Sequence, residues 1–275
     1  MFRVLKQEIM KKTQNKVIIV TGASKGIGRA TAELLAKKGN TVYGLSRSLP
    51  QGDFSFNSVI CDVTDSAALK TAYREIYEKE SRIDCVINNA GLGIAGAVEN
   101  TSDGAVKSIT DLNFCAVEKS CRLALGYLRE SGGRIINLSS VAAIMPIAFQ
   151  TYYSATKAAV LVFSRALDQE VKPLGVRVSA VLPGDTKTAF TAARKIENDD
   201  GPYSERVSRS VGRMEKDETN GVSPENVAKV IDKALSAKNP KTSYIVGFPY
   251  KLIGFLNKLL PQRFVDFILF KLYAK

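Results

Sequence analysis

A tyrosine and a lysine four residues apart, Tyr153 and Lys157, lie in the run Tyr-Ser-Ala-Thr-Lys, with Ser140 thirteen positions upstream of the tyrosine. On a helix, residues i and i+4 share a face, so the Lys157 ammonium should lie beside the Tyr153 phenol. A phenol loses its proton near pH ~10. A fixed cation nearby favours the phenolate and draws that value toward neutrality, where a general acid or base is useful. Ser140 follows the apolar run Arg-Ile-Ile-Asn-Leu at 134–138, which reads as a buried parallel strand ending in a loop. Open α/β sheets place their chemistry at such strand ends. The Tyr-x-x-x-Lys spacing alone also suits an ordinary helix, so the surrounding segments decide its meaning.

The first of these is Lys16-Val-Ile-Ile-Val-Thr-Gly-Ala-Ser-Lys-Gly-Ile-Gly28. A β-branched run ends in three glycines, and 29–38 then carries a helical pattern until Gly39, a natural helix stop. Strand, tight turn and helix N-terminus make a phosphate cradle. Gly22 allows the turn, Gly26 lets the backbone approach a pyrophosphate, and Gly28 lets helix and strand pack closely. The spacing Gly-x-x-x-Gly-x-Gly departs from the commoner dinucleotide fingerprint. Apolar strand candidates at 17–21, 41–45, 58–61, 84–88, 134–138, 176–182 and 243–247 alternate with helical stretches, the rhythm of a parallel sheet covered on both faces.

Thr21-Gly-Ala-Ser-Lys-Gly-Ile-Gly28, Asp62, Asn88-Asn-Ala-Gly91, Asn113, Ser140 with Tyr153 and Lys157, and Pro183-Gly-Asp-Thr-Lys-Thr188 fall in order and register. Together they resemble the short-chain dehydrogenase/reductase family of single-domain oxidoreductases, over residues 16 to about 190. The resemblance implies a Rossmann-type doubly wound, mostly parallel seven-stranded sheet with helices on both faces. It also implies a nicotinamide dinucleotide, with Gly22, Ser24, Lys25, Gly26, Ile27 and Gly28 around the phosphates. Asp62 and Val63 would hold the adenine, and Asn89, Ala90 and Gly91 would pass under the nucleotide. Pro183, Gly184, Thr186 and Thr188 would meet the nicotinamide end. Tyr153 would protonate a developing alkoxide, Ser140 would donate to the same oxygen, and Lys157 would also bind the nicotinamide ribose. Asn113 matches the position that helps hold a water linking Lys157 to solvent. Ser139 and Tyr152 stand one residue off register. Asn88 and Asn89 could instead stabilise the strand end.

The second strand ends Leu45-Ser46-Arg47, where an NAD enzyme usually places an acid against the ribose 2′-hydroxyl. Arginine instead offers a planar fork to a 2′-phosphate, and Lys25 adds a second cation, so NADP(H) is expected over NAD(H).

The sequence has no histidine, which excludes histidine-based catalysis, and Cys61, Cys85, Cys115 and Cys121 lack Cys-x-x-Cys spacing, which makes a metal site improbable. Free cysteines fit a reducing, cytoplasmic setting. Neither a signal peptide nor an apolar run of the ~20 residues that span a bilayer is evident. We divide the chain into a basic extension at 1–15, the oxidoreductase domain at 16–249 and a basic amphipathic tail at 250–275. Residues 189–222 form a polar, charged connection with apolar points at Phe190, Tyr203, Val207 and Met214, read as a lid over the substrate. The segments 144–149 and 92–94 supply mostly apolar walls, favouring a bulky apolar ketone or alcohol.

Of the net charge of +12, residues 1–16 contribute +4 and residues 238–275 contribute +6. The tail reads as two short amphipathic helices broken at Pro261, whose apolar face has four open destinations: an anionic membrane surface, a second subunit, the enzyme body, or the substrate mouth. No nucleic-acid recognition motif is evident. The expected activity is NADP(H)-dependent interconversion of a ketone and a secondary alcohol on a steroid- or lipid-like substrate, in a homo-oligomer (dimer or tetramer). The alternatives are a 3-oxoacyl-thioester reductase and a non-catalytic NADP-sensing scaffold.

Overall fold

The computed structural model describes residues 15–197, 201–257 and 259–275. The basic extension, Asn15 apart, lies outside the described residues. Seven strands, β1 (Val17–Thr21), β2 (Thr41–Ser46), β3 (Asn57–Ile60), β4 (Cys85–Asn88), β6 (Arg134–Leu138), β7 (Arg177–Pro183) and β9 (Ser243–Val246), form one sheet in the order β3-β2-β1-β4-β6-β7-β9. All neighbours are parallel, with β1 in register from Val17 opposite Thr41 to Thr21 opposite Leu45. The central strands are short apolar runs without alternation because both of their faces are buried. Each expected strand lies within two residues of its observed place. Asp84 stays outside β4 and instead accepts the Val17 amide on Oδ2 at 2.8 Å.

One face of the sheet is covered by α2 (Ser66–Glu80), α4 (Ala116–Ser131) and α5 (Thr151–Val171), which bury Leu69, Tyr73, Ile76, Cys121, Leu128 and Val160. The other carries α1 (Gly26–Lys37) and α7 (Pro224–Ser236), which meet through Leu35, Val227, Ile231 and Leu235. Local chemistry fixes these helix starts. Asp65 accepts the Ala67 and Ala68 amides at 2.8 and 3.1 Å. Ser223 caps α7 with Pro224 at its first position. A short helix, α3 (Asp103–Thr110), runs into a π-helical turn at Asp111–Cys115, which carries Asn113.

Strand order reverses between β1 and β4, so a crevice opens beyond their C-terminal ends. The segment read as a polar lid is more ordered than expected. Lys195–Ile196 (β8) pairs in parallel with Ile94–Ala95 (β5), and Ser204–Thr219 is a helix, α6. Tyr203, Val207, Val211 and Met214 recur at helical spacing along it and pack on Ala95 and Phe149 or face inward. The tail forms α8 (Phe248–Leu256) and α9 (Gln262–Tyr273), with Pro261 between them.

Candidate active site

The glycine turn is set by two close approaches. Gly22 has φ of +68°, and a β-carbon there would lie 2.9 Å from the Ala90 Cα. A β-carbon on Gly28 would sit 2.3 Å from the Gly22 carbonyl oxygen, so helix and strand can meet only because residue 28 has no side chain. Asn89 ties the turn to β4, its Nδ2 donating to the Thr21 carbonyl at 2.9 Å while Thr21 Oγ1 accepts the Asn89 and Ala90 amides. Asn88 lies below, donating to Asn137 Oδ1 at 2.8 Å and accepting from Ser120. It therefore stabilises the strand end, whereas Asn89 both holds the turn and lines the cleft.

A single cavity of about 830 Å³ runs from this turn to the tail. At one end it is lined by Gly22, Ser24, Lys25, Gly26, Ile27, Ser46, Arg47, Asp62 and Val63. Asn89, Ala90, Gly91, Pro183, Gly184, Thr186 and Thr188 line its middle, with Ser140, Tyr153 and Lys157 beside them. Of the catalytic and cofactor-binding residues expected from the sequence, all but Gly28 and Asn113 line it. Asp62 is held in place by the Thr64 amide and hydroxyl, at 2.9 and 2.7 Å. The Thr64 amide bond, its hydroxyl and the Arg47 charge all hold the Asp62 carboxyl below the usual carboxylate range, with burial opposing them.

Tyr153 and Lys157 share the inner face of α5. The buried Lys157 Nζ donates to the Leu138 carbonyl at 2.9 Å and lies 5.8 Å from the centre of the Tyr153 ring. Ser139 donates to the Lys157 carbonyl at 2.7 Å and is committed to holding α5 on β6. Tyr152 faces away, against Leu92, Ile94, Ala105 and Ile109. Ser140 accepts the Ala142 amide at 3.1 Å, which fixes its hydroxyl near that of Tyr153. Asn113 is fully buried: its Oδ1 accepts the Leu92 amide at 2.9 Å, and its Nδ2 donates to the Leu92 carbonyl and to Thr156 Oγ1. The π-helical turn thus clamps the loop after β4 to α5.

The electrostatics differ from the expectation of a lowered phenol. Burial pushes Tyr153 up to about 12; the Ser140 hydrogen bond pulls it down, and Glu218 and Asp185 push it up. Burial also pushes Lys157 down to about 8. The ammonium stands 5.8 Å from the centre of the ring, and a low-polarity site penalises both charges. Tyr153 is therefore a neutral phenol at pH 7, a proton donor. Lys157 is charged below about pH 8 and neutral above it. If the cation is needed, kcat/KM for reduction should be level at low pH and fall tenfold per pH step above about 8. A profile level through pH ~10 would show that Tyr153 alone governs activity.

Beyond Tyr153 the cavity joins Phe190, an apolar point of the expected lid, to residues that had no sequence signal. The Phe190 ring centre lies 5.8 Å from that of Tyr153. Behind it, the buried Arg194 pairs with Glu218, which also accepts from Thr191 Oγ1 at 2.5 Å, so residues 191–194 are tied to α6. From the tail, Tyr250 donates to Asp185, and Leu269 and Tyr273 join the wall. Leu92, Met145 and Ile147 line the cavity as expected, but Ile94, Ile144 and Phe149 do not. These three are taken up beneath it, Ile94 on α3, Ile144 against α8 and Phe149 under α6.

A glycine-turned Rossmann crevice with a tyrosine, a lysine and a serine at its centre defines a class. The short chain dehydrogenase family model matches residues 16–199, and the chain belongs to the short-chain dehydrogenase/reductase family. It is 37% identical over 268 residues to a 3-ketodihydrosphingosine reductase of Bacteroides thetaiotaomicron, covering 95% of this chain and 99% of that one. A 3-oxoacyl-acyl-carrier-protein reductase of Vibrio harveyi is 31% identical, covering 85% of this chain and 94% of its own length. Among solved structures, a short-chain dehydrogenase from Streptomyces avermitilis superposes with a TM-score of 0.79 at 29% identity, over 89% of this chain and 93% of that one. The protein is thus an oxidoreductase acting on ketone or alcohol groups of a small molecule, in a family that binds nicotinamide cofactors and commonly oligomerises. Among the described residues no helix is long and apolar enough to cross a membrane.

Proposed function

We propose that the protein is an NADP(H)-dependent reductase of a long-chain ketone, with a 3-keto sphingoid base as the best candidate. The observation that carries this reading is the continuity of one cleft. Arg47 and Lys25 flank its nucleotide end, and Leu92, Met145, Ile147, Phe190, Met214 and Leu269 line the end beyond Tyr153. The 37% identity to a 3-ketodihydrosphingosine reductase over nearly the full chain supports the substrate class.

The residues present fit a nicotinamide dinucleotide. The Gly22 and Gly28 approaches leave the turn open where side chains would fill it, and residues at the ends of six strands converge on the cavity. Ser24, Gly26 and Ile27 would hold the phosphates, Asp62 and Val63 the adenine, and Asn89 to Gly91 and Pro183 to Thr188 the nicotinamide half. When bound, the cofactor supplies the hydride. Tyr153 holds the proton that the carbonyl oxygen takes up, as its neutral phenol requires in the reductive direction. Ser140 donates to that oxygen as negative charge develops there. Lys157 binds the ribose hydroxyls and offsets the charge left on Tyr153. Asn113 positions α5 against the loop carrying Gly91 and Leu92.

A homodimer or tetramer in the cytoplasm completes the reading. The compartment is supported by four cysteines that are all free. Steady-state assays with 3-ketodihydrosphingosine in mixed micelles and with an acetoacetyl thioester test the substrate class. The sphingoid ketone should be reduced with the higher kcat/KM, and preference for the thioester would replace this reading with the acyl-carrier one. NADPH should bind at least tenfold tighter than NADH, a difference of ~1.4 kcal/mol, and Arg47→Asp should erase or reverse that preference. Equal affinities in the unmodified protein would overturn the cofactor assignment.

A further inference from the structure

Ten of the seventeen large hydrophobic side chains that stand exposed among the described residues fall between positions 248 and 272. Both tail helices are seated by a narrow stripe and leave the rest of their surface open. In α9 the stripe is Val265, Leu269 and Tyr273, one turn apart, anchored by Tyr273 on Asp217 at 3.2 Å and by Arg206 on the Ala274 carbonyl at 2.8 Å. In α8 it is Tyr250 and Gly254, the latter closed on Ile245 and Ile144, with Asn257 Nδ2 donating to the Ile144 carbonyl at 3.1 Å. Of the four destinations open in the sequence, the inner stripe reaches two, the enzyme body and the substrate cleft. The outer faces, led by Phe248, Leu252 and Phe255 on α8 and Phe264, Phe267 and Phe270 on α9, stand exposed instead. Phe248 is 80% exposed and Phe267 56%.

Charge discriminates between the remaining two. Residues 248–275 contain Lys251, Lys258, Arg263, Lys271 and Lys275 against the single acid Asp266. Lys271 lies over the Phe267 ring, 5.5 Å from its centre, so cation and aromatic share the exposed face. A second copy meeting this face through the same patch would bring net charges of +4 together. An anionic lipid surface instead attracts each basic residue by ~1 kcal/mol while the aromatic and aliphatic side chains enter the headgroup boundary. A helix of twelve residues is ~18 Å long, against a hydrocarbon core of ~30 Å, so α9 can lie in the interface but not cross it.

We propose that the outer faces of α8 and α9 form a docking surface for a bilayer rich in anionic lipids. The same helices line the substrate end of the cleft from their inner side, through Tyr250, Leu269 and Tyr273. A long-chain ketone could then pass from bilayer to cleft along the tail without crossing water. That delivery role rests on the substrate class proposed above, whereas the docking surface does not.

The test is flotation of the full chain with phosphatidylcholine vesicles and with vesicles one-third phosphatidylglycerol. Light scattering of the free protein is measured in parallel. At least tenfold more protein should float with the anionic vesicles, less so at high salt. The double variant Phe255→Glu with Phe267→Glu, and the charge variant Lys251→Glu with Lys271→Glu, should each abolish flotation. Both should keep the wild-type rate on a short, water-soluble ketone. Absence of flotation, or flotation indifferent to both variants, would overturn the proposal. So would a dimer that the same variants dissociate in a protein that does not float, since the face would then be a subunit contact. Flotation in a protein that reduces no long-chain ketone would leave the docking surface standing and remove the substrate reading alone.

Discussion

Tyr153→Phe is expected to lower turnover by ~100-fold or more while NADPH still binds, because it removes the transferable proton and little else. The phenylalanine ring keeps the packing on Phe190, and Lys157 keeps its bond to the Leu138 carbonyl. The loss should appear in kcat and kcat/KM together, the mark of an interaction made in the transition state. Steady-state kinetics alongside a fluorescence titration with NADPH reads both quantities. A variant of near-normal rate would mean that another group delivers the proton.

The second large effect separates function from stability. Lys157→Met keeps the buried aliphatic stem and removes the charge. Turnover and NADPH affinity should both fall at least about tenfold, since one ammonium serves both. The protein should nevertheless melt at a higher temperature. With its folded-state value down from 10.5 to about 8, burying the charged lysine costs about 3 kcal/mol at neutral pH. The sign follows from proton binding: between about pH 8 and 10.5 the unfolded chain binds more protons. The penalty is therefore full below about 8 and relieved as pH rises toward 10.5. Methionine leaves the Leu138 carbonyl without this donor, a loss of about 1 kcal/mol that offsets only part of the gain. Thermal unfolding of both proteins at pH 7 checks the prediction, and a lower melting temperature for the variant would show that Lys157 stabilises the fold.

Much of this arrangement is legible in the sequence because local physics dictates it. The seven strands are short β-branched runs, and the glycine turn, the proline-started α7 and the Tyr-x-x-x-Lys face each follow from spacing within one element. The remainder depends on contacts between segments far apart in the chain. Val207, Val211 and Met214 form a helical stripe, yet the charges between them made the segment read as a connection. Arg194 and Glu218 lie 24 residues apart, and nothing near either marks them as partners. The amphipathic tail announces an apolar face, but only the packed chain reveals that Tyr250 reaches Asp185 and that Leu269 enters the cleft. The phenol followed the same logic: i to i+4 spacing brings a cation near Tyr153, while the burial that outweighs it belongs to the whole cleft.

The most direct test of the account is the fate of one hydrogen. The enzyme is incubated with 3-ketodihydrosphingosine and NADPH carrying deuterium at the transferable position of carbon 4, and the product is read by mass spectrometry. The account predicts an alcohol bearing one deuterium on the former carbonyl carbon, formed by the wild type and at least ~100-fold more slowly by Tyr153→Phe. An unlabelled alcohol, or no alcohol from this ketone with either NADPH or NADH, would contradict it.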